Sequence, residues 1–283
     1  PEDGMNIYQM DWEGRQMIAW EEERYQRKAT YGVPVLYPTP NRSEELKIQA
    51  FGRQYDARMH GLVKNRPFEV KAAEADGQTA LVTGVLLWNE AQPDFPMFPF
   101  PSILSITVKA LPDEVVWSYE VENCGEGEMS FGSSSFIFAK PGSKTGRMAS
   151  KRILPFTPAA SVMEMTEEKI PTGKLIPAGE TVPDLRTPAL VDSLSLDHVY
   201  TDCQAGAHAE IFYNDCRVKL EATEEFGHIV VFTPKAPFFC IENQSCSTDC
   251  FNLFAKGFVR ESGLQTVKAG EKKSGAIRFV FEK

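Results

Sequence analysis

Apolar and polar residues alternate along much of this chain with a period of two. Alternate positions are apolar within residues 104–110 and again within residues 115–121. Such alternation is typical of strands that bury one face. The sequence Leu-Pro-Asp-Glu at 111–114 joins the two runs, and together they predict a hairpin. The pattern returns at 218–222 and 277–281.

Helical patterns are scarce by comparison. Only residues 20–28 have a helical composition, and their apolar spacing covers one or two turns. Proline and glycine interrupt most other segments, most densely at 93–101 and 171–188. These patterns predict one all-β domain over residues 1–283, built from packed antiparallel sheets.

Charge and composition exclude several classes of partner. The 283-residue chain has a formal net charge of −9, and its Lys and Arg residues form no basic stripe. A protein needs such a stripe to bind the phosphate backbone of a nucleic acid, so we expect no nucleic-acid partner. No apolar run approaches the roughly 18 residues of a membrane span, so we expect no membrane association. We expect a cytoplasmic protein, although an extracytoplasmic one stays open because a leader before Pro1 could have been trimmed.

Six cysteines raise the question of metal binding and of disulfides. Cys240, Cys246 and Cys250 lie close together in the sequence, but the close Cys-x-x-Cys pairs that hold zinc do not occur. Cys240 and Cys250 have apolar neighbours, where a free cysteine behaves as a small apolar side chain. We therefore expect structural thiols and no metal site. Whether any of the cysteines pair stays open.

Two titratable residues are candidates for acid–base chemistry. Glu242 follows the apolar runs at 229–234 and 237–241. A carboxyl group at the end of a buried strand loses solvation, which raises its pKa towards neutrality and makes it a useful base. His60, far earlier in the chain and followed by glycine, is a second group that titrates near neutral pH.

Four segments, in order, resemble the aldose 1-epimerase (galactose mutarotase) family. Gly-Val-Pro-Val-Leu-Tyr-Pro-Thr-Pro-Asn-Arg at 32–42 resembles the family's arginine segment, and His-Gly-Leu-Val-Lys-Asn-Arg-Pro at 60–67 resembles its histidine motif. The sequence at 196–200 is similar to the family's aspartate segment, and 231–242 is similar to its glutamate strand. The resemblance covers about residues 30–283.

The resemblance implies a fold, an activity and a set of site residues. The fold is the large antiparallel β-sandwich called the galactose mutarotase-like supersandwich, with the sugar in a cleft. The activity is the interconversion of the α and β anomers of a free aldohexose by acid–base ring opening. Glu242 is then the base, and His60, Arg42 and Asp197 hold the sugar, with His60 near the ring oxygen. The resemblance implies a small-molecule sugar as partner, a monomer or homodimer, and no metal or organic cofactor.

One family residue has no obvious counterpart. Family members carry a second histidine, the general acid, in a His-Pro-Tyr-Phe type sequence after an Asn-x-Gly turn. The matching stretch here is 129–138, and the alignment puts Ser135 at the position of that histidine, with Ser134 or Phe136 as alternatives. We therefore expect Ser135 to contact the substrate beside Glu242. A serine hydroxyl is no acid at pH 7, so His60 or a water would protonate the ring oxygen.

Two other functions stay open for this sequence. A protein with half of the proton machinery missing could bind carbohydrates with little or no turnover. A mutarotase for a phosphorylated sugar would need additional cations near the cleft, for which Lys64, Arg66 and Arg53 are the candidates.

Overall fold

The structure is a computed structural model that describes residues 1–19, 22–27, 29–139, 154–203, 208–236 and 238–283. Its described strands form two large antiparallel sheets. The first has six strands, in the spatial order β10 (Ser134–Ala139), β18 (Phe239–Gln244), β17 (His228–Phe232), β14 (Asp197–Thr201), β12 (Ser161–Met165) and β13 (Pro171–Pro177).

The second sheet has eight described strands. Their spatial order is β11 (Leu154–Phe156), β15 (His208–Phe212), β16 (Arg217–Ala222), β20 (Lys272–Glu282), β8 (Glu114–Asn123), β7 (Ser102–Leu111), β6 (Ala80–Trp88) and β5 (Glu69–Ala75). The predicted hairpin is confirmed, because β7 pairs with β8 through a turn closed by Leu111 and Glu114.

Short elements complete the described part of the chain. Three two-stranded sheets pair β1 (Asp11–Trp12) with β2 (Arg15–Gln16), β3 (Lys47–Ala50) with β4 (Arg53–Asp56), and β9 (Met129–Phe131) with β19 (Gln265–Val267). The α-helices are α1 (Glu22–Gln26), α2 (Cys250–Ala255) and α3 (Val259–Ser262), and 3₁₀ turns cover Glu44–Leu46, Phe95–Met97 and Val191–Ser193.

The all-β prediction is confirmed, and the described part of residues 20–28, whose composition is helical, contains one short helix. Helix α1 covers Glu22–Gln26, while residues 20, 21 and 28 lie outside the described residues. The sequence contained no strong signal for α2 or α3, each of which is only one or two turns long. The organisation of residues 1–283 as one domain stays a prediction.

The six-stranded sheet has two different faces. Ile229, Val231 and Ile241 point into the main hydrophobic core, which also contains Trp117 and Phe279 from the eight-stranded sheet. Alternate residues of the same strands point the other way, because side chains of a strand alternate between its faces. On that outer side Val199 and Val230 belong to a separate small apolar cluster, and this outer face bears the candidate site.

The segment at 32–42 runs along one edge of this sheet. Leu36 forms a β-bridge with Ser134 of β10, and the next residue, Tyr37, forms one with Gly61. These two bridges bring the Arg42 loop and the His60 loop to the end of the sheet where β18 carries Glu242.

Candidate active site

Four of the five residues expected at the site line one cavity. Glu242, His60, Arg42 and Asp197 all border a partly enclosed space of about 210 Å³ on the outer face of the six-stranded sheet. They come from four separate parts of the chain: two loops, and two strands of one sheet. The cavity thus collects a carboxyl group, an imidazole and an ion pair.

Glu242 is buried at the floor of this cavity. Its strand, β18, lies between β10 and β17, and Glu242 pairs with Val230 of β17. The side chain is 4% exposed, and its Oε2 accepts a hydrogen bond of 2.8 Å from Nε2 of Gln244. Because the same face also presents Val199 and Val230, the surroundings of the carboxyl group are largely apolar.

The burial of Glu242 determines its protonation. Loss of solvation, reinforced by the negative charge of Asp197, raises its pKa from 4.5 to about 8, against the opposing effects of Gln244, Arg42 and Asn41. A carboxyl group with this pKa is mostly protonated at pH 7 and becomes a base only as the pH approaches 8.

His60 lies in a tight turn that depends on the glycine after it. The backbone of His60 is left-handed, with φ of 66°, and its N–H donates a hydrogen bond of 2.6 Å to the carbonyl of Asn41. Gly61 is also left-handed, and a Cβ there would lie 2.3 Å from the carbonyl oxygen of Tyr37. The His-Gly pair therefore joins this loop to the Arg42 loop.

The imidazole of His60 is neutral over the working pH range. Burial lowers its pKa from 6.5 to about 3, and the positive charges of Lys64 and Arg42 act in the same direction. A neutral imidazole can donate or accept one hydrogen bond at each nitrogen, but it holds no extra proton to transfer.

Arg42 and Asp197 form an ion pair at the side of the cavity. Nη2 of Arg42 lies 3.2 Å from Oδ2 of Asp197, at the start of β14. Nη1 of Arg42 donates to the carbonyl of Glu168 at 3.1 Å, and the backbone carbonyl of Arg42 accepts from the N–H of Asp249. These contacts fix a guanidinium and a carboxylate where sugar hydroxyls could bind both.

Ser135 does not reach the cavity, contrary to the sequence-based expectation. It pairs with Asn243 of β18, while the next residue, Phe136, pairs with Glu242. Directly paired residues share a face, so Ser135 lies on the opposite face from Glu242, and it is buried to 1% exposure. The expected placement of Ser135 beside Glu242 is therefore wrong. Phe136 occupies the register position opposite Glu242.

Sequence reasoning missed several side chains that border the cavity. Arg24, Thr30, Lys169 and His198 all contribute to its lining. The Nδ1 atom of His198 accepts a hydrogen bond of 3.2 Å from the backbone N–H of Asp197. The others come from a helix and loops without a recognisable motif, so no local signal could have found them.

The cysteines are free thiols, including Cys240 at the cavity. Burial raises the pKa of Cys240 and of Cys246, so both are protonated thiols at neutral pH. Within the described residues, no group of three or more His, Cys, Asp or Glu side chains is arranged to hold a metal ion.

Comparison of the sequence with models of protein families assigns the chain to a family. The model of aldose 1-epimerase matches residues 7–280, nearly the whole chain. The chain belongs to the aldose 1-epimerase family. This family membership confirms the resemblance inferred from the four sequence segments. No curated protein sequence matches the chain significantly.

Solved structures of this family share the fold over nearly the whole chain. A galactose mutarotase-like protein from Clostridium acetobutylicum has a TM-score of 0.86 at 20% identity, covering 100% of this chain and 91% of its own. A galactose mutarotase-like protein from Lactobacillus casei has a TM-score of 0.77 at 17% identity, covering 100% and 95%. Galactose 1-epimerase from Lactobacillus acidophilus has a TM-score of 0.75 at 14% identity, covering 99% and 89%.

These similarities confirm the galactose mutarotase-like fold for this member of the aldose 1-epimerase family. At such low identities they extend to the fold alone. Within the part of the chain that the structure describes, no helix is both long and apolar enough to cross a membrane.

Proposed function

We propose that this protein interconverts the α and β anomers of an aldohexose. The observation that supports this most is the convergence of Glu242, His60 and the Arg42–Asp197 pair on one cavity. Anomer exchange requires a proton to leave the anomeric hydroxyl and another to reach the ring oxygen, while the remaining hydroxyls are held still. The lining of the cavity includes groups suited to each of these tasks.

In this proposal Glu242 takes the proton from the anomeric hydroxyl. The ring bond breaks, the aldehyde end rotates, and the protonated Glu242 returns the proton when the ring closes on the other face. With a pKa of about 8, only about a tenth of the Glu242 carboxyl groups are ionised at pH 7. The catalysed rate should therefore rise with pH until the carboxyl group is fully ionised.

The ring oxygen receives its proton differently from the family pattern. A histidine with a pKa of about 3 is not protonated at neutral pH, so His60 donates a hydrogen bond to the ring oxygen. Solvent water supplies the proton to this oxygen when the ring opens, and the resulting hydroxide takes it back when the ring closes. Arg42 and Asp197 bind hydroxyl groups on the far side of the sugar. Because water is a weak acid, this step limits the rate.

A second candidate function is carbohydrate binding with little turnover. The pairing of Phe136 with Glu242 favours it, because a phenylalanine at this register position cannot transfer a proton. Both candidate functions would use the same cavity and the same sugar. They differ in whether the ring opens faster than it does in buffer.

Polarimetry of freshly dissolved α-D-glucose and α-D-galactose tests the proposal. A catalysed approach to the equilibrium rotation, proportional to protein concentration and faster at pH 8.5 than at pH 6.5, is expected. A rate equal to that of buffer at both pH values, with sugar binding detected by calorimetry, would favour the binding protein instead.

A further inference from the structure

Gln244 contacts Glu242 directly and has no part in the proposed chemistry. The two residues are two apart on β18, so their side chains point to the same, outer face of the six-stranded sheet. Gln244 is buried, at 0% exposure, and its Nε2 donates the hydrogen bond of 2.8 Å that Oε2 of Glu242 accepts. In this arrangement the amide stabilises the ionised form of the carboxyl group.

The other half of this amide is without a partner. Oε1 of Gln244 is buried and accepts no hydrogen bond from the residues that the structure describes. A buried amide oxygen without a donor lowers the stability of the fold. Glu242 itself gains a donor, its O–H group, when it takes up a proton. Protonation of Glu242 therefore supplies the kind of group that Oε1 lacks.

His228 contributes a second acceptor of this kind. It pairs with Gln244 across β17 and β18, so the two side chains are neighbours on the outer face. Nε2 of His228 lies 3.0 Å from the carbonyl oxygen of Glu261 and donates to it, because a carbonyl only accepts. Burial lowers the pKa of His228 to about 4, so the imidazole is neutral at pH 7. Its Nδ1 is then an acceptor, and in the described part of the chain it has no hydrogen-bond partner.

A half turn of the Gln244 amide would give both acceptors a donor. The turn exchanges the positions of Oε1 and Nε2, two atoms of nearly the same size, so the packing around the amide stays the same. Oε1 would then accept from the protonated carboxyl group of Glu242, and the amide N–H would turn to the side of His228.

We propose that Gln244 is a positioning residue whose amide turns with each proton transfer. Its N–H donates to the Glu242 carboxylate; after the turn its carbonyl accepts from the Glu242 carboxylic acid, and its N–H donates to Nδ1 of His228. The catalytic meaning of this inference rests on the proposed function, in which Glu242 takes up and returns one proton in each cycle. The amide holds the carboxyl group in place in both states.

The arrangement with ionised Glu242 has the stronger hydrogen bond. A bond to a carboxylate is roughly twice as strong as one between neutral groups, so on balance Gln244 lowers the pKa of Glu242 and opposes the effect of burial. The other charged or titratable groups that border the cavity are Arg24, Arg42, His60, Lys169, Asp197, His198 and Cys240. Replacement of Gln244 leaves all of these groups in the chain, so a changed titration of Glu242 reports on the amide.

Carbon NMR of the glutamate carboxyl groups tests the inference without any substrate. Gln244→Met removes the amide and keeps the length of the side chain, and the midpoint of Glu242 should move from about pH 8 to about pH 9. The control is Gln265→Met, which removes a buried glutamine that accepts from the hydroxyl of Tyr119. Its midpoint should stay at about pH 8. An unchanged or lower midpoint in Gln244→Met would overturn the inference.

The exchange rate distinguishes this role from a purely structural one. After subtraction of the buffer rate, the wild-type rate at pH 9 should exceed that at pH 7 about tenfold, and the ratio in Gln244→Met should be about fiftyfold, as the two midpoints require. A structural role would lower both rates by one factor and leave the ratio at about ten, which would contradict the inference. A shifted carboxyl midpoint without catalysed exchange in any of the proteins would contradict the proposed function alone.

The turn of the amide can also be followed in the wild type, which needs no variant to fold. The nitrogen-15 signal of Nδ1 of His228, assigned by triple-resonance NMR, should shift with a midpoint near pH 8, although the imidazole itself titrates near pH 4. The same step should be absent from Glu242→Gln, whose amide does not titrate. A wild-type His228 signal that stays constant between pH 6 and pH 9 would show that the amide does not turn.

Discussion

Glu242 and Asp94 are two buried carboxyl groups whose negative charge is avoided or compensated in different ways. Asp94 is 9% exposed and pairs with two arginines: Arg58, whose Nη2 lies 2.7 Å from Oδ1, and Arg66, which contacts Oδ2. Glu242 is 4% exposed, and in the described part of the chain it accepts a hydrogen bond from Gln244 but forms no ion pair. One carboxylate is neutralised by cations, and the other is neutralised by a proton.

The difference separates a structural acid from a reactive one. Arg58 and Arg66 lie on either side of His60 in the sequence, so their bonds to Asp94 tie both ends of the His60 loop to the 3₁₀ turn at Phe95–Met97. Asp94 thus stabilises the loop that positions the imidazole. Glu242 is left with a raised pKa, and perturbed acids of this kind are concentrated at functional sites.

Replacement of Glu242 by glutamine should have the largest effect on activity. Glu242→Gln keeps the shape and the neutral state of the side chain but removes the base, so the exchange rate should fall by about 10²–10⁴-fold. The wild-type rate should rise between pH 6 and pH 9, because the pKa of Glu242 is raised to about 8 and the ionised form becomes the majority only above that pH. NMR exchange measurements across this range check both statements. A variant that keeps most of the wild-type rate would show that Glu242 is not the base.

Replacement of Asp94 by asparagine should instead affect stability. Asp94→Asn leaves Arg66 and Arg58 without their shared carboxylate, and the free energy of unfolding should fall by about 2 kcal/mol, a discounted value because Arg58 is half exposed. Denaturant titration measures this change. Glu69→Gln, which breaks the exposed pair with Lys71, is the matched control and should leave stability unchanged. If Asp94→Asn and Glu69→Gln have the same free energy of unfolding, Asp94 does not stabilise the fold, and the distinction between a structural and a reactive acid is lost.

A smaller effect should come from placing a histidine opposite Glu242. Phe136→His places an imidazole at the register position opposite Glu242 and should raise the exchange rate about tenfold. Ser135→His is the control one residue away. It faces away from the cavity at a site that is 1% exposed, so it should leave the rate unchanged and cost about 1–3 kcal/mol of stability. The opposite result, a faster Ser135→His and an unchanged Phe136→His, would show that the strand register is wrong.

Much of the fold could be predicted because strands and turns leave local patterns in the sequence. The hairpin of β7 and β8 follows from alternation and a turn, and the strands at 218–222 and 277–281 follow from alternation alone. The four ordered segments also predicted that Glu242, His60, Arg42 and Asp197 come from one family site. Their common cavity is a tertiary feature that no segment contains by itself.

The errors have a different physical origin. A one-residue shift in a strand moves every side chain to the other face, so the ambiguous run of three serines before Phe136 was enough to misplace Ser135. Arg24, Thr30 and Lys169 reach the cavity from segments with no motif, and only the folded chain brings them there.

Titration of Glu242 by carbon NMR of the glutamate carboxyl groups tests the central claim most directly, because it does not depend on any substrate. The account predicts one glutamate carboxyl group in the wild type that titrates near pH 8, as its burial requires, and whose signal is missing from Glu242→Gln. If every glutamate carboxyl group of the wild type titrates below pH 6, Glu242 is ionised at neutral pH and the account of a burial-neutralised base is contradicted.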